Sequence, residues 1–184
     1  MKFCGDCGAT VEAIIPAGDS RPRFVCTQCH AIHYQNPRLV IGTLPVWNEQ
    51  VLLCKRAIEP RYGLWTLPGG FMENGESTGQ AAIRETLEEA NARVALDDLY
   101  SMHSLPYIDQ VHLFFRARLL DLDFSPGVES LETRLFSEAE IPWNELAFRP
   151  VRFTLEHFFK ERKSAKFSLL TGELAAPPQL FQPQ

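Results

Sequence analysis

One stretch constrains this chain more than any other: GFMENGESTGQAAIRETLEEANA, from Gly70 to Ala92. It joins a loop that contains glycine to a segment with strong helical signals. Ser77 is followed three residues later by Gln80, a spacing that can form a capping box at a helix N-terminus. The alanines after Gln80 favour helix as well. The stretch therefore predicts a loop that runs directly into a capped helix.

The predicted helix runs from about Thr78 to Ala90. Within it, Ile83, Leu87 and Ala90 recur at helical spacing, which predicts that they face the protein core. The charged side chains of the helix should then face elsewhere.

Three acidic residues of this helix, Glu85, Glu88 and Glu89, fall within an arc of roughly 100°. Carboxylates placed this way repel one another unless a cation lies among them. Hard oxygen ligands of this kind suit Mg²⁺ or Mn²⁺. A solvated acidic face is the alternative, because runs of charge are usually exposed. The glycine loop before the helix, and a possible ion pair between Glu76 and Arg84, favour the metal site.

These residues resemble the Nudix box, G-x5-E-x7-R-E-U-x-E-E-x-G-U, in which U is a bulky apolar residue. The six matching positions are Gly70, Glu76, Arg84, Glu85, Glu88 and Glu89. The three departures are Thr86 and Ala92 at apolar positions and Asn91 at the last glycine. Asn tolerates the left-handed conformation that ends a helix better than most residues, so we expect Asn91 to keep the cap.

The resemblance implies an α/β protein with the Nudix α/β/α sandwich and its mixed sheet. It implies hydrolysis of a nucleoside diphosphate linked to another moiety, X. By resemblance, Glu76 and Arg84 hold the loop on the helix, and Arg84 belongs to the catalytic set. The implied ligands of catalytic Mg²⁺ or Mn²⁺ are Glu85, Glu88, Glu89 and the Gly70 carbonyl.

Two CxxC pairs near the start are separated by 18 residues: Cys4, Cys7, Cys26 and Cys29. Four thiolates close a tetrahedral Zn²⁺ site and leave no open position, which predicts a structural zinc ribbon. A redox dithiol and chance spacing are the alternatives. His30 and His33 could replace a cysteine, but with four thiols available we interpret both as ordinary polar residues.

Charge and hydropathy limit the partners. Residues 1–38 carry four basic and three acidic side chains, and this net charge of +1 is too weak for a phosphate-binding patch. The whole chain has a net charge of −5, which also argues against binding to nucleic acid. No apolar run approaches the roughly 20 residues that span a bilayer, and the start lacks the apolar centre of a signal peptide. We predict a cytoplasmic protein without membrane or nucleic-acid partners.

The proline step Tyr34-Gln35-Asn36-Pro37 marks a boundary between domains. We predict a zinc ribbon at 1–36, a Nudix domain at 37–162 and a tail at 163–184. The tail contains Pro177, Pro178 and Pro183 and shows no periodic pattern. It is expected to be disordered or to reach onto the partner subunit of a homodimer.

Coarse patterns place the remaining elements. The runs 39–47 and 50–56 predict a β-hairpin, and 93–105, 111–120 and 132–136 predict three more strands. Residues 138–141 and 146–162 predict helices. The longer of these presents four apolar side chains to the core: Val151, Leu155, Phe158 and Phe159.

Five further residues are candidates for the site. Arg56 could bind substrate phosphates or simply be solvated, Trp65 could stack on a base or belong to the core, and Tyr107 could stack on a ring or pack its loop. Glu129 and Glu132 lie where Nudix enzymes often place an acidic loop residue that ligates metal or acts as general base. We prefer Glu132 for that role, with a solvated acid as the alternative for each.

Several segments together resemble Nudix pyrophosphatases that carry a ribbon and act on FAD and ADP-ribose: the Tyr-x-Asn-Pro step, GLWTLPGGFMENGES and Pro-Gly-x-Glu-Ser-Leu-Glu. The SQPWPFPxS signature of NADH pyrophosphatases is absent, and Ser104-Leu105-Pro106-Tyr107 stands in its place. NADH is therefore the weaker substrate candidate. A domain that binds such nucleotides as a sensor without cleaving them is a further alternative.

Overall fold

The computed structural model describes residues 1–164 and 166–177. Two compact units are present, Met1–Pro37 and Arg38–Gln184. The first contains three short antiparallel strands in the order β1-β2-β3: β1 Val11–Ile14, β2 Arg23–Cys26 and β3 Ile32–His33. This small sheet brings the two CxxC turns together, as a zinc ribbon requires.

Within its described residues, the second unit contains eight strands and two α-helices. In chain order these are β4 Arg38–Trp47, β5 Gln50–Arg56, β6 Trp65–Thr66, β7 Gly69–Phe71, α1 Thr78–Ala90, β8 Val94–Leu105, β9 Gln110–Leu119, β10 Ser130–Phe136, α2 Arg149–Glu161 and β11 Leu170–Glu173. The hairpin β4–β5 turns at Asn48, which has a positive φ of 53°.

These strands form one mixed sheet in the order β10-β5-β4-β9-β8-β11, with β6 beside β5 and β7 beside β4. The pairs β4–β9 and β8–β11 are parallel, and the others are antiparallel. The predicted α/β class and mixed sheet are therefore confirmed.

Each face of the sheet is covered by one helix. On the α2 face, Leu53 and Phe114 pack with the four apolar side chains predicted for that helix, all of them buried. On the α1 face, Leu52 and Cys54 pack around the end of the helix at Ala90. Neighbouring residues of β5 thus enter opposite cores, as the two-residue repeat of a strand requires. Cys54 is a buried apolar residue, as its alternation along the strand indicates.

The structure corrects two predictions at the C-terminal end. The helix predicted from residue 146 begins at Arg149, because Pro150 needs no amide partner in the first turn. The predicted tail contains a strand, β11, whose residues pair in parallel with Ser101–Ser104 of β8. Its four residues LTGE have no alternating pattern, so only a distant neighbour determines their conformation. Pro178 and Pro183 lie outside the described residues.

In the part of the chain that the structure describes, no helix has the length and apolar character needed to cross a membrane.

Candidate active site

Helix α1 has the predicted ends. At its start, Ser77 Oγ accepts a hydrogen bond from the Gln80 amide at 3.2 Å, and Gln80 Oε1 accepts from the Ser77 amide at 2.8 Å. At its end, Asn91 adopts the left-handed conformation with φ 47°, and its backbone N–H donates to the Leu87 carbonyl. The capping box and the Asn cap are both confirmed.

The prediction for the buried side of α1 was wrong for Ile83 and Leu87 and right for Ala90. Ile83 and Leu87 are 44% and 49% exposed. The buried side chains are Ala81, Ala82, Glu85, Thr86, Glu89 and Ala90. Three alanines let the helix approach the sheet closely, and two carboxylates occupy the same side. Ile83 and Leu87 therefore lie on the outer surface of this helix, while Glu85 and Glu89 face the protein interior.

Arg84 connects the loop to the helix. Its guanidinium donates to both carboxylate oxygens of Glu76 at 2.7 and 3.0 Å, and to the Phe71 carbonyl at 3.2 Å. The same side chain donates to Glu85 at 2.7 Å and to Glu88 at 3.0 Å. The ion pair predicted between Glu76 and Arg84 is confirmed, and Arg84 orients two of the acidic side chains as well.

The predicted glycine loop forms the short strand β7, and its Gly69 and Gly70 lie directly against two carboxylates. A Cβ added at Gly70 would lie 2.5 Å from Glu85 Oε2, so only glycine leaves room for this carboxylate. The Gly69 amide donates to Glu89 Oε2 at 3.0 Å. One oxygen of Glu89 is thus fixed by the backbone, while Arg84 holds Oε1 of Glu85.

Burial destabilises the ionised form of both carboxylates. It raises the pKa of Glu89 to about 7, and the charges of Glu85 and Glu129 act in the same direction. Burial also raises the pKa of Glu85, against the opposing effect of Arg84. A bound cation would remove both penalties, since an opposite charge favours the carboxylate.

The donor set fits a hard divalent cation. Glu85, Glu88, Glu89 and the Gly70 carbonyl offer oxygen atoms, which Mg²⁺ and Mn²⁺ prefer. Glu88 is mostly exposed, with 58% of its side chain accessible. Among the described residues, possible ligands gather within 4.8 Å of one another only in the ribbon, so the α1 carboxylates are more widely spaced than the thiols.

The three side chains predicted to contact substrate lie in different environments. Arg56 is buried near Glu89, whose pKa it lowers; its Nε donates to the Pro60 carbonyl at 2.9 Å. Trp65 is only 5% exposed and packs edge-on against Phe136, so it belongs to the core, the second of its two alternatives. Tyr107 lies in the 3₁₀ helix 106–108 and is 36% exposed, so its ring is accessible.

The preference for Glu132 over Glu129 is also corrected. Along β10, Glu132 shares a face with Phe136, which packs into the α2 core, and it pairs with Lys55. Glu132 therefore projects from the face opposite α1. Glu129 precedes a register shift in this strand, and its charge raises the pKa of both Glu85 and Glu89. The register shift at the start of β10, which the sequence does not reveal, distinguishes the position of Glu129 from that of Glu132.

In the ribbon, the four cysteine sulfur atoms lie within 4.8 Å of one another. The Sγ–Sγ distances are 3.7 Å for Cys4–Cys29 and 3.4 Å for Cys7–Cys26. A tetrahedron with zinc–sulfur bonds of about 2.3 Å has edges of roughly 3.8 Å, so the cluster fits Zn²⁺. Backbone N–H donors, that of Cys7 foremost, lower the pKa of Cys4 to about 6 and favour the thiolate.

His33 has a role that the sequence analysis missed. Its Nε2 lies 3.1 Å from Cys4 Sγ, so it is a hydrogen-bond partner of a cysteine rather than an ordinary surface residue. Only the folded hairpin shows this, because 29 residues separate the two positions.

Thr86 stands at a position where the Nudix pattern has an apolar residue, and its hydroxyl has two buried partners. Thr86 Oγ1 donates to the Ala82 carbonyl at 2.7 Å and lies 2.6 Å from Thr43 Oγ1 of β4. Both side chains are fully buried. This pair of hydroxyls holds α1 on the sheet.

Replacing Thr86 by valine, T86V, should lower the free energy of unfolding by about 1–3 kcal/mol, because the buried hydroxyl of Thr43 loses its partner. The T43V variant should lose less, because Thr86 Oγ1 still donates to the Ala82 carbonyl. The double variant should lose less than the sum of the single variants, because no buried hydroxyl then remains there. Urea unfolding of all four proteins measures this coupling. Strictly additive losses would show that the two hydroxyls do not depend on each other.

The mixed sheet between two helices, with buried carboxylates facing a glycine loop, defines an α/β/α protein whose acidic site suits a cation. Two family models match the chain: the NUDIX domain at residues 36–161, and the ribbon model described as Nudix N-terminal at residues 2–35. The chain therefore belongs to the Nudix family.

The individual proteins to which this chain is similar are named for different activities. The NAD-capped RNA hydrolase NudC of Pseudomonas aeruginosa (strain LESB58) is 26% identical over 176 residues, which cover 93% of this chain and 60% of that protein. The ADP-ribose pyrophosphatase of Methanocaldococcus jannaschii is 29% identical over 119 residues, 62% of this chain and 69% of that protein. The chain thus spans about 60% of the length of the NudC relative that it matches.

Among solved structures, a NUDIX hydrolase from Nitrosomonas europaea superposes with a TM-score of 0.93 and 55% sequence identity. The match covers 96% of this chain and 100% of that one. The similarity therefore extends over nearly the whole of both chains.

Proposed function

We propose that the protein is a metal-dependent pyrophosphohydrolase that cleaves FAD, ADP-ribose or both, giving AMP plus FMN or ribose 5-phosphate. The observation that carries this proposal is the pair of buried carboxylates, Glu85 and Glu89, held against the glycine loop. The ADP-ribose pyrophosphatase of M. jannaschii supports the substrate class.

In this proposal, Glu85, Glu88, Glu89 and the Gly70 carbonyl hold Mg²⁺ or Mn²⁺. When bound, the ion neutralises phosphate charge and lowers the pKa of water. The chain itself fixes the geometry. The Gly69 amide anchors Glu89, and Arg84 holds Glu85 and Glu88 by charge-assisted hydrogen bonds.

Three further groups complete the proposed site. Arg56 is held by the Pro60 carbonyl and lies over the Phe148 ring at 5.1 Å, so its positive charge is fixed near Glu89 for a diphosphate. Glu129 supplies the acidic side chain from the loop before β10, as a metal ligand or as general base. Tyr107 offers an accessible ring for stacking.

NADH or a related NAD-containing substrate is the second candidate. It is favoured by the NudC relative, which is similar over 93% of this chain, ribbon included. A nucleotide sensor without activity is disfavoured, because the chain keeps the complete acidic set.

A substrate panel tests the proposal: FAD, ADP-ribose, NADH, NAD-capped RNA and mRNA-cap analogues, each with Mg²⁺ and with Mn²⁺. We expect the highest kcat/KM for FAD or ADP-ribose, and a large loss of that activity in a Glu89→Gln variant. Preference for NADH or capped RNA would move the chain to the second candidate. Binding without turnover would identify a sensor.

We also propose that the protein is a cytoplasmic homodimer whose partners are small nucleotides rather than nucleic acid. All five cysteines are free, as a reducing compartment favours. Light scattering on the purified protein tests the proposed dimer. A mass of two chains supports it, and a mass of one chain contradicts it.

A further inference from the structure

Asn91 does more than end helix α1. Its side-chain amide nitrogen lies 3.2 Å from three oxygen atoms of the following loop, Ser125 O, Ser125 Oγ and Pro126 O. Glycine, the residue of the Nudix pattern at this position, adopts the same backbone conformation more readily but has no side chain to make these contacts. The departure from glycine thus adds a connection between the helix and a loop 34 residues away.

The same loop is held on the last turn of α1 by backbone contacts. The Ser125 amide donates to the Ala90 carbonyl at 3.0 Å, and the Gly127 amide donates to the Glu89 carbonyl at 3.0 Å. A Cβ added at Gly127 would lie 1.7 Å from the Glu88 carbonyl oxygen, so the loop touches the helix backbone itself. Residues 125–127 therefore lie against the backbone of the last turn of α1, which carries Glu88 and Glu89.

Glu129 follows this contact by two residues. Its carbonyl accepts a hydrogen bond from the Ala57 amide at 2.8 Å, just beyond β5. The backbone of Glu129 is thus fixed between β5 on one side and the end of α1 on the other. Because residues 125–127 rest on α1, a shift of that contact moves Glu129 relative to Glu85 and Glu89.

We propose that Asn91 is a positioning residue: its amide holds residues 125–127 against α1 and so sets where the Glu129 carboxylate stands relative to Glu85 and Glu89. The inference rests on the proposed function, in which Glu129 supplies the acidic group of the loop. In the proposed site, Asn91 itself touches neither substrate nor metal.

The decisive variant is Asn91→Gly, which keeps the left-handed cap and removes only the side-chain amide. We expect kcat to fall by about 10- to 100-fold, the usual effect of losing a supporting hydrogen bond at a metal site, with KM and Tm nearly unchanged. In a Glu129→Gln background, Asn91→Gly should cost little more, because Glu129 no longer contributes. Equal losses in both backgrounds would overturn the proposal.

Asn48→Gly is the matched control. Asn48 also has a positive φ, 53°, but it lies in the β4–β5 turn. The Asn48→Gly substitution should leave kcat within about twofold of the wild-type value, and its effect should simply add to that of Glu129→Gln.

A second measurement does not depend on turnover. In the metal-free full-length protein, amide hydrogen exchange of residues 125–130 should be faster in Asn91→Gly and unchanged in Asn48→Gly. Unchanged exchange in Asn91→Gly would show that the amide holds nothing and would overturn the proposal.

If no substrate of the panel is cleaved, the proposed function is wrong, but the positioning role can still be tested. Mn²⁺ affinity is then measured in place of kcat for the wild type, Asn91→Gly, Glu129→Gln and the double variant. Coupling between positions 91 and 129 in Mn²⁺ binding supports the positioning role. Additive effects on Mn²⁺ binding overturn it.

Discussion

Replacing Glu89 with Gln should lower kcat by about 10³-fold or more, since several kcal/mol of transition-state stabilisation depend on the metal-binding carboxylates. The amide oxygen can still accept the hydrogen bond from Gly69, so the fold should persist. Steady-state kinetics at saturating Mg²⁺ with FAD and ADP-ribose measure the loss. Glu156→Gln, an exposed acid on α2, should stay near wild type. Near-normal turnover of Glu89→Gln would remove this residue from the metal site.

The same substitution should stabilise the metal-free protein at high pH. Burial raises the pKa of Glu89 in the folded state to about 7, above the roughly 4.3 of an unfolded chain. The folded state therefore holds this proton more tightly, and the resulting stability is lost as pH rises through 7. With a chelator present, Glu89→Gln should have a higher Tm than wild type at pH 8, and the gap should shrink towards pH 5. An equal Tm at pH 8 would contradict the burial of this charge.

Replacing Cys26 with Ser should remove zinc and unfold the ribbon. Among the described side chains of residues 1–37, only Cys4 and Cys26 are buried apolar ones, so the unit has almost no core. Units below about 40 residues usually need such a metal, and structural zinc supplies about 10–16 kcal/mol of apparent binding free energy in finger peptides.

Metal analysis should find close to one zinc per chain in the wild type and almost none in Cys26→Ser. Amide exchange should become fast throughout residues 1–37 of the variant. Cys54→Ala, which alters the buried thiol of β5, should keep its zinc. A ribbon that stays protected without metal would show that zinc is dispensable for its folding.

Local signals were sufficient for much of the site. The cap at Ser77, the end at Asn91 and the ion pair between Glu76 and Arg84 depend on residues close together in sequence. Their chemistry is fixed by spacing, so the sequence predicts them correctly. The same holds for the two CxxC turns.

The failures share a different cause. Ile83 and Leu87 were expected in the core because apolar repeats usually face inward, but here alanines and carboxylates occupy that side. Glu132 was preferred to Glu129 because the sequence does not show the register shift in β10, which determines the face on which each lies. His33 depends on a partner far along the chain, Cys4. Each error concerns tertiary contacts that no local pattern records.

Strand β11 affects how the protein behaves at high concentration. It pairs with residues 101–104 of β8 and so covers part of one border of the sheet, where free N–H and C=O groups would otherwise recruit strands of other molecules. On the opposite border, β10 presents the exposed charges of Glu132 and Arg134, which discourage such pairing. A chain shortened after α2 keeps every proposed catalytic residue and exposes this border, so its first defect would be aggregation.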